Sequence, residues 1–168
     1  MTSLPQTVGH HPLGIWFFKP HIPAIYVKTV LGVGRERGLD EYELIEKAGF
    51  DRTTLDDPAV RVPPVVQMNL INQILEQTGN NGLGFEIGFS LPLTSHGSLG
   101  MAIMCAGSMP EVFDLLGRFW TVQERAVNLS VNTLPDHTCI SLHTNLPLGA
   151  EIQSVYFECI LTVLYRSV

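Results

Sequence analysis

Charge is what this sequence has least of. Only 15% of its 168 residues are charged while 45% are hydrophobic, against the roughly 25% charged that is usual in a soluble domain. So little charge leaves apolar surface over, for a cavity or for a partner. The ten lysines and arginines are scattered and outnumbered, and the formal net charge is -6. That balance excludes this chain as the part that grips a nucleic-acid backbone, which needs basic residues gathered on one face.

Cysteine is nearly as scarce. Cys105, Cys139 and Cys159 stand far apart with no CxxC, which excludes a disulfide framework and fits a reduced, cytoplasmic setting. Long hydrophobic runs are missing too. The apolar stretch at 13–18 is broken by Gly14 and flanked by Pro12 and Pro20, too short to cross a bilayer and unlike a secretory signal. No membrane partner is expected.

Catalytic signatures are also lacking. The six histidines include no pair at zinc-ligand spacing, so neither a metal nor a cofactor is expected. Ser95 beside His96 forms no GxSxG elbow, and Asp56 and Asp57 precede Pro58 as turn residues. Gly82, Gly84 and Gly88 spell GxGxxxG, but they follow a helical pattern where a phosphate cradle would follow a strand. Close helix packing explains them better. The chain is not expected to be an enzyme.

What is present is mostly helix. Residues 1–23 are rich in proline and histidine around Trp16, Phe17 and Phe18, which predicts an extended arm docked by its aromatics. Residues 24–38 carry apolar side chains at helical spacing and stop at Gly38. Asp40 with Glu43 predicts a capping box for a second helix ending at Gly49. Residues 51–57 make a short turn. Pro63 and Pro64 open a third helix, with Val66, Leu70, Ile71, Ile74 and Leu75 on one face. A short helix follows, with Leu83, Ile87 and Phe89 on one side, closed by Pro92.

After the loop 94–97, residues 99–105 form an apolar helix. Ser108 with Glu111 predicts another capping box, with Phe119 and Trp120 on the apolar face and Glu124 in water. Val127, Leu129 and Val131 alternate with polar residues, and with 139–143 they predict an antiparallel hairpin. A last amphipathic helix runs from Ile152 to Leu164 without a terminal cap, from which the chain is expected to be an amino-terminal piece of a longer protein. The fold expected is α+β, predominantly helical with one small antiparallel sheet near 127–143, as an arm (1–23) and one domain (24–168).

Three segments in this order carry a resemblance: RERGLDEYELIEKAGFDRTTLDDPAVRVP, LINQILEQTGNNGLGFEIGFSL and HGSLGMAIMCAGSMPEVFDLLGRF. The chain resembles, over roughly residues 25–165, the amino-terminal effector-binding domain of AraC-type transcriptional regulators, the arabinose-binding type. The resemblance implies a sensor and dimerisation module, a site for a small-molecule effector of unnamed chemistry, a homodimer, and DNA contact only through a carboxy-terminal helix-turn-helix domain that this chain lacks. A protein-interaction or scaffold module without a ligand is the alternative.

On that reading an apolar or amphipathic effector binds between the helices of 99–120 and the hairpin of 127–143. The expected pocket lining is Met101, Met104, Phe113, Trp120 and Tyr156, with His96 and Arg118 as polar contacts. Methionine also fills cores without binding anything, and both roles stay open for these residues.

Overall fold

The computed structural model describes residues 14–144 and 146–167. The expected extended arm lies, over its first thirteen residues, outside the described residues. Gly14, at φ 72°, leads into a 3-10 turn at Ile15–Phe18, so this part of the arm is coiled and not extended. The cause is aromatic docking: Phe17 is 1% exposed, and the Trp16 ring stands edge-on to it at 5.4 Å. Strand β1 (Ile22–Pro23) then pairs antiparallel with β2 (Arg61–Val62), Ile22 opposite Val62. This second small sheet is an addition to the expected single hairpin. Two-residue strands are too short to show alternation.

Helix α1 (Ala24–Glu36) and α2 (Glu41–Ala48) are joined where expected. The Asp40 carboxylate accepts the Glu43 N–H at 2.9 Å, and Gly49 closes α2 in the left-handed region at φ 69°, a conformation costly for a residue with a Cβ. A 3-10 turn at Arg52–Asp56 leads to α3 (Pro64–Thr78), with Pro64 in the first turn. Arg37, just past α1, ties the next corner. Its side chain is only 11% exposed and donates to both carboxylate oxygens of Glu86, at 2.8 and 3.1 Å, and to the Gly79 and Asn80 carbonyls.

The short helix α4 (Leu83–Ser90) and the long α7 (Ala150–Arg166) run side by side in the same direction. Gly84 faces Val155 and Glu158, and Gly88 faces Cys159 and Thr162. A Cβ on Gly88 would lie 2.6 Å from that of Thr162, and one on Gly84 would run into the Val155 carbonyl oxygen. The expected close packing is therefore real, and α7 is what approaches. Helix α7 also grips both ends of α4. Glu158 accepts the Gly84 N–H at 3.2 Å, and Arg166 donates to the carbonyls of Gly88 and Leu91 at 2.9 and 2.8 Å. An anion at the amino end and a cation at the carboxy end both oppose the helix dipole.

Helix α5 (Gly97–Cys105) leads to α6 (Met109–Gln123). The expected capping box does not form: the Ser108 side chain makes no capping bond, and Glu111 reaches one residue further back to take the Gly107 N–H at 2.9 Å. Strands β3 (Asn128–Thr133) and β4 (Thr138–His143) pair as the expected antiparallel hairpin, and Leu129 stands opposite Leu142. The fold is α+β, with the helices dominant and two two-stranded sheets.

Three side chains differ from expectation. Phe89 is 58% exposed, because α7 covers the glycine side of α4 and leaves the phenylalanine side outward. Phe119 is also largely exposed. Glu124 is not in water but half-buried, with a carboxylate oxygen accepting the Ala126 N–H at 2.6 Å, since the chain turns inward there to enter β3.

Buried residues form two clusters. The first joins α1 to α4 with Ile152 and Val155 of α7. The second joins α5, α6 and the β3–β4 hairpin with Ile160 and Leu164 of α7. Trp16 and Tyr156 pack against both.

The glycine contact sets a test. Gly84→Ala and Gly88→Ala should each lower the unfolding free energy by about 3 kcal/mol through overpacking against backbone. Gly117→Ala, in the open on α6, should be neutral or raise it by about 0.5–1 kcal/mol. Urea unfolding of the three variants reads the difference; equal midpoints for all three would refute it.

Candidate functional site

A cavity of about 640 Å3 opens at the seam between the two clusters, within the range that small-molecule sites occupy. Its walls come from segments distant in sequence. The arm supplies Trp16 and Phe17, α1 supplies Tyr26, α3 supplies Ile71, α5 supplies Leu99 and Ile103, α6 supplies Leu116 and Trp120, and α7 supplies Val155, Tyr156, Cys159 and Ile160. The lining is mostly apolar because both clusters end on it. Trp120 is held as a wall by its indole N–H, which donates to the Val127 carbonyl at 2.7 Å.

The polar groups are few and placed. His96, at the end of a 3-10 turn at Leu93–His96, bonds through Nδ1 to the Tyr26 hydroxyl at 2.8 Å, while its buried Nε2 has no partner. Burial, aided by the Arg166 charge, pushes its pKa down to about 4, so the ring is neutral at pH 7. Deeper in, burial raises the pKa of Glu124 against the pull of the Ala126 N–H. Tyr156 is raised by burial and then by the Glu124 charge. The same two causes push the Cys159 thiol up to about 12. A thiol that holds its proton so firmly is a poor nucleophile. The arrangement can bind and orient a ligand.

Of the residues expected to form a site, Trp120, Tyr156 and His96 line this cavity together. The other four do not line it. Met101 and Met104 are 51% and 55% exposed on the outer side of α5. Phe113 packs against the second cluster, and Arg118 pairs with Asp114 at 3.0 Å on the surface. No residue of 127–143 lines the cavity either; its far wall is α7 with the arm. Sequence reading passed over Tyr26, Ile71, Glu124 and Cys159. The signal available was slight: an aromatic cluster in the arm, and a carboxylate between an apolar helix and a strand. Among the described residues no cluster of three or more histidines, cysteines or carboxylates could hold a metal, and no helix is long and apolar enough to cross a membrane.

Residues 38–168 match the family described as the arabinose-binding domain of AraC transcription regulators, amino-terminal. The chain belongs to this family. Its members are domains of transcription regulators, not a class of enzymes. Curated relatives include an uncharacterized HTH-type transcriptional regulator of Mycobacterium bovis and one of Mycobacterium tuberculosis. Each is 21% identical over 137 residues, which is 81% of this chain and 40% of the relative. The chain thus spans less than half the length of these relatives.

The buried neutral His96 links stability to pH. Its folded pKa lies below the ordinary 6.5, so the unfolded chain takes up the proton first as pH falls. Stability contributed by the neutral ring is complete above about pH 6.5 and drains away down to about pH 4, by roughly 2–3 kcal/mol. Urea unfolding at both ends of that window should show this loss, and His96→Gln should show a smaller one. An equal loss in the variant would assign the effect to other groups.

Proposed function

We propose that this chain is the effector-sensing part of an AraC-type regulator and that its ligand is a small, amphipathic molecule held in the cavity between the arm, α3, α5, α6 and α7. The observation that carries the reading is the cavity itself: about 640 Å3 at the seam of two cores, apolar in its walls, with polar atoms of His96, Tyr26, Tyr156 and Glu124 set into them. Trp120, Tyr156 and His96 are the contacts retained from the sequence. A ligand there touches both clusters at once. It can therefore favour one relative placement of them, to the extent that it binds that placement more tightly.

The regulatory step then follows as part of the proposal. The protein works as a homodimer in the cytoplasm, the effector selects one arrangement of the two copies, and that arrangement sets the spacing of helix-turn-helix domains lying outside this chain. DNA contact falls to those domains, since the sensor is acidic. No catalysis is assigned to the cavity. A second reading, a protein-interaction module, draws support from Met101 and Met104, whose exposed thioethers suit an adaptable contact surface.

Thermal-shift screening of the 168-residue chain against cellular metabolites should find a stabilising ligand, by about 2.7 kcal/mol at one hundred times its Kd. Val163→Trp, which fills a half-buried lining position, should abolish the shift while the far-UV spectrum stays unchanged. A shift retained in that folded variant, or none with any metabolite, would sink the cavity reading.

A further inference from the structure

The chain carries only ten lysines and arginines against sixteen acidic residues. Three of the ten, Lys19, Arg61 and Arg125, line this one cavity together with His21, and all four are exposed. The fold brings them there from separate places. Pairing of β1 with β2 sets Arg61 opposite Pro23, next to the turn that carries Lys19 and His21. Arg125 arrives from the corner between α6 and β3. His21 is fixed by a bond from Nδ1 to the Lys19 carbonyl at 2.8 Å.

No carboxylate pairs with Lys19, Arg61 or Arg125 among the described residues. Arg61 directs one nitrogen to the carbonyls of its own loop, at 3.2 Å for Ala59, and no acid neutralises it. Among the described residues the one acidic residue in the lining is Glu124, half-buried and hydrogen-bonded to the Ala126 N–H. An unpaired basic rim on an acidic protein concentrates anions locally. The same lining includes the apolar Trp16, Phe17, Leu99 and Ile160, of which the last three are buried.

We propose that the cavity selects an amphipathic organic anion, its charged head resting at the mouth among Lys19, Arg61 and Arg125 and its apolar body reaching inward between α5 and α7. This rests on the cavity being the effector site. A neutral ligand leaves the rim without a role. A cation is repelled at the mouth and has only Glu124 to answer it.

The two tryptophans of the chain, Trp16 and Trp120, both line the cavity, so intrinsic fluorescence reports its filling without a label. Three probes of one shape separate the outcomes: phenylbutyrate, phenylbutanol and phenylbutylamine, titrated into the 168-residue chain. The expected order is butyrate about tenfold tighter than the alcohol, with the amine weakest, and rising salt should erode the preference. In the triple variant Lys19→Gln, Arg61→Gln, Arg125→Gln the preference should vanish while the alcohol binds as before. Equal binding of alcohol and butyrate, or tightest binding of the amine, overturns the anion assignment and leaves the cavity reading intact. Failure of all three to bind overturns both.

Discussion

Everything in this molecule hangs on the contact between α4 and α7. Two glycines, Gly84 and Gly88, let the backbones of the helices approach so closely that side-chain carbons of Glu158 and Thr162 fill the space a Cβ would take. Dispersion at such range is strong because many atom pairs sit near their optimal separation at once. The polar ends reinforce it, with Glu158 on the amino end of α4 and Arg166 on its carboxy end. Parallel neighbouring helices have unfavourably aligned dipoles, and these two side chains offset that by placing opposite charge at each terminus of α4.

The position of α7 then decides where the cores lie. One helix supplies Ile152 and Val155 to the first cluster and Ile160 and Leu164 to the second. Between those pairs stand Tyr156 and Cys159, and there the packing opens into the cavity. Interiors close to crystal density leave few voids larger than a water molecule, so a cavity of some 640 Å3 at this seam marks a place where two cores meet without filling the gap. Its chemistry follows from depth. Burial holds His96 neutral and Cys159 protonated, while the exposed rim keeps its basic side chains in water. The same depth gradient would sort a ligand end for end.

In the arm, local preference and aromatic docking act side by side. Lys19, just before Pro20, is extended at ψ 138°, as a residue before proline favours, whereas Ile15–Phe18 coils and buries Phe17 against the first cluster. Arg37 ties the opposite corner. Its guanidinium gathers carbonyls from the loop after α3 together with Glu86 of α4, and a rigid planar fork suits that convergence better than an ammonium would.

Much of the secondary structure could be read from sequence because its causes lie within four residues. Asp40 reaches the Glu43 N–H, Gly49 takes the left-handed cap, Pro64 starts α3, and Val127, Leu129 and Val131 alternate into a strand. Even the closeness of some helix to Gly84 and Gly88 was legible, since only packing explained their spacing. That the approaching helix is α7, some seventy residues on, was not. For the same reason the site was half seen. Periodicity marks α5 as apolar on every side, and it cannot tell that Leu99 and Ile103 face inward while Met101 and Met104 face out. Helix limits and the presence of the hairpin were determined by short-range hydrogen bonds and local pattern, and the family showed in the order of its segments. The cavity, its walls from segments spread along the chain and its basic rim were decided only by tertiary packing, because contacts between distant segments depend on shape complementarity that no local window of sequence contains.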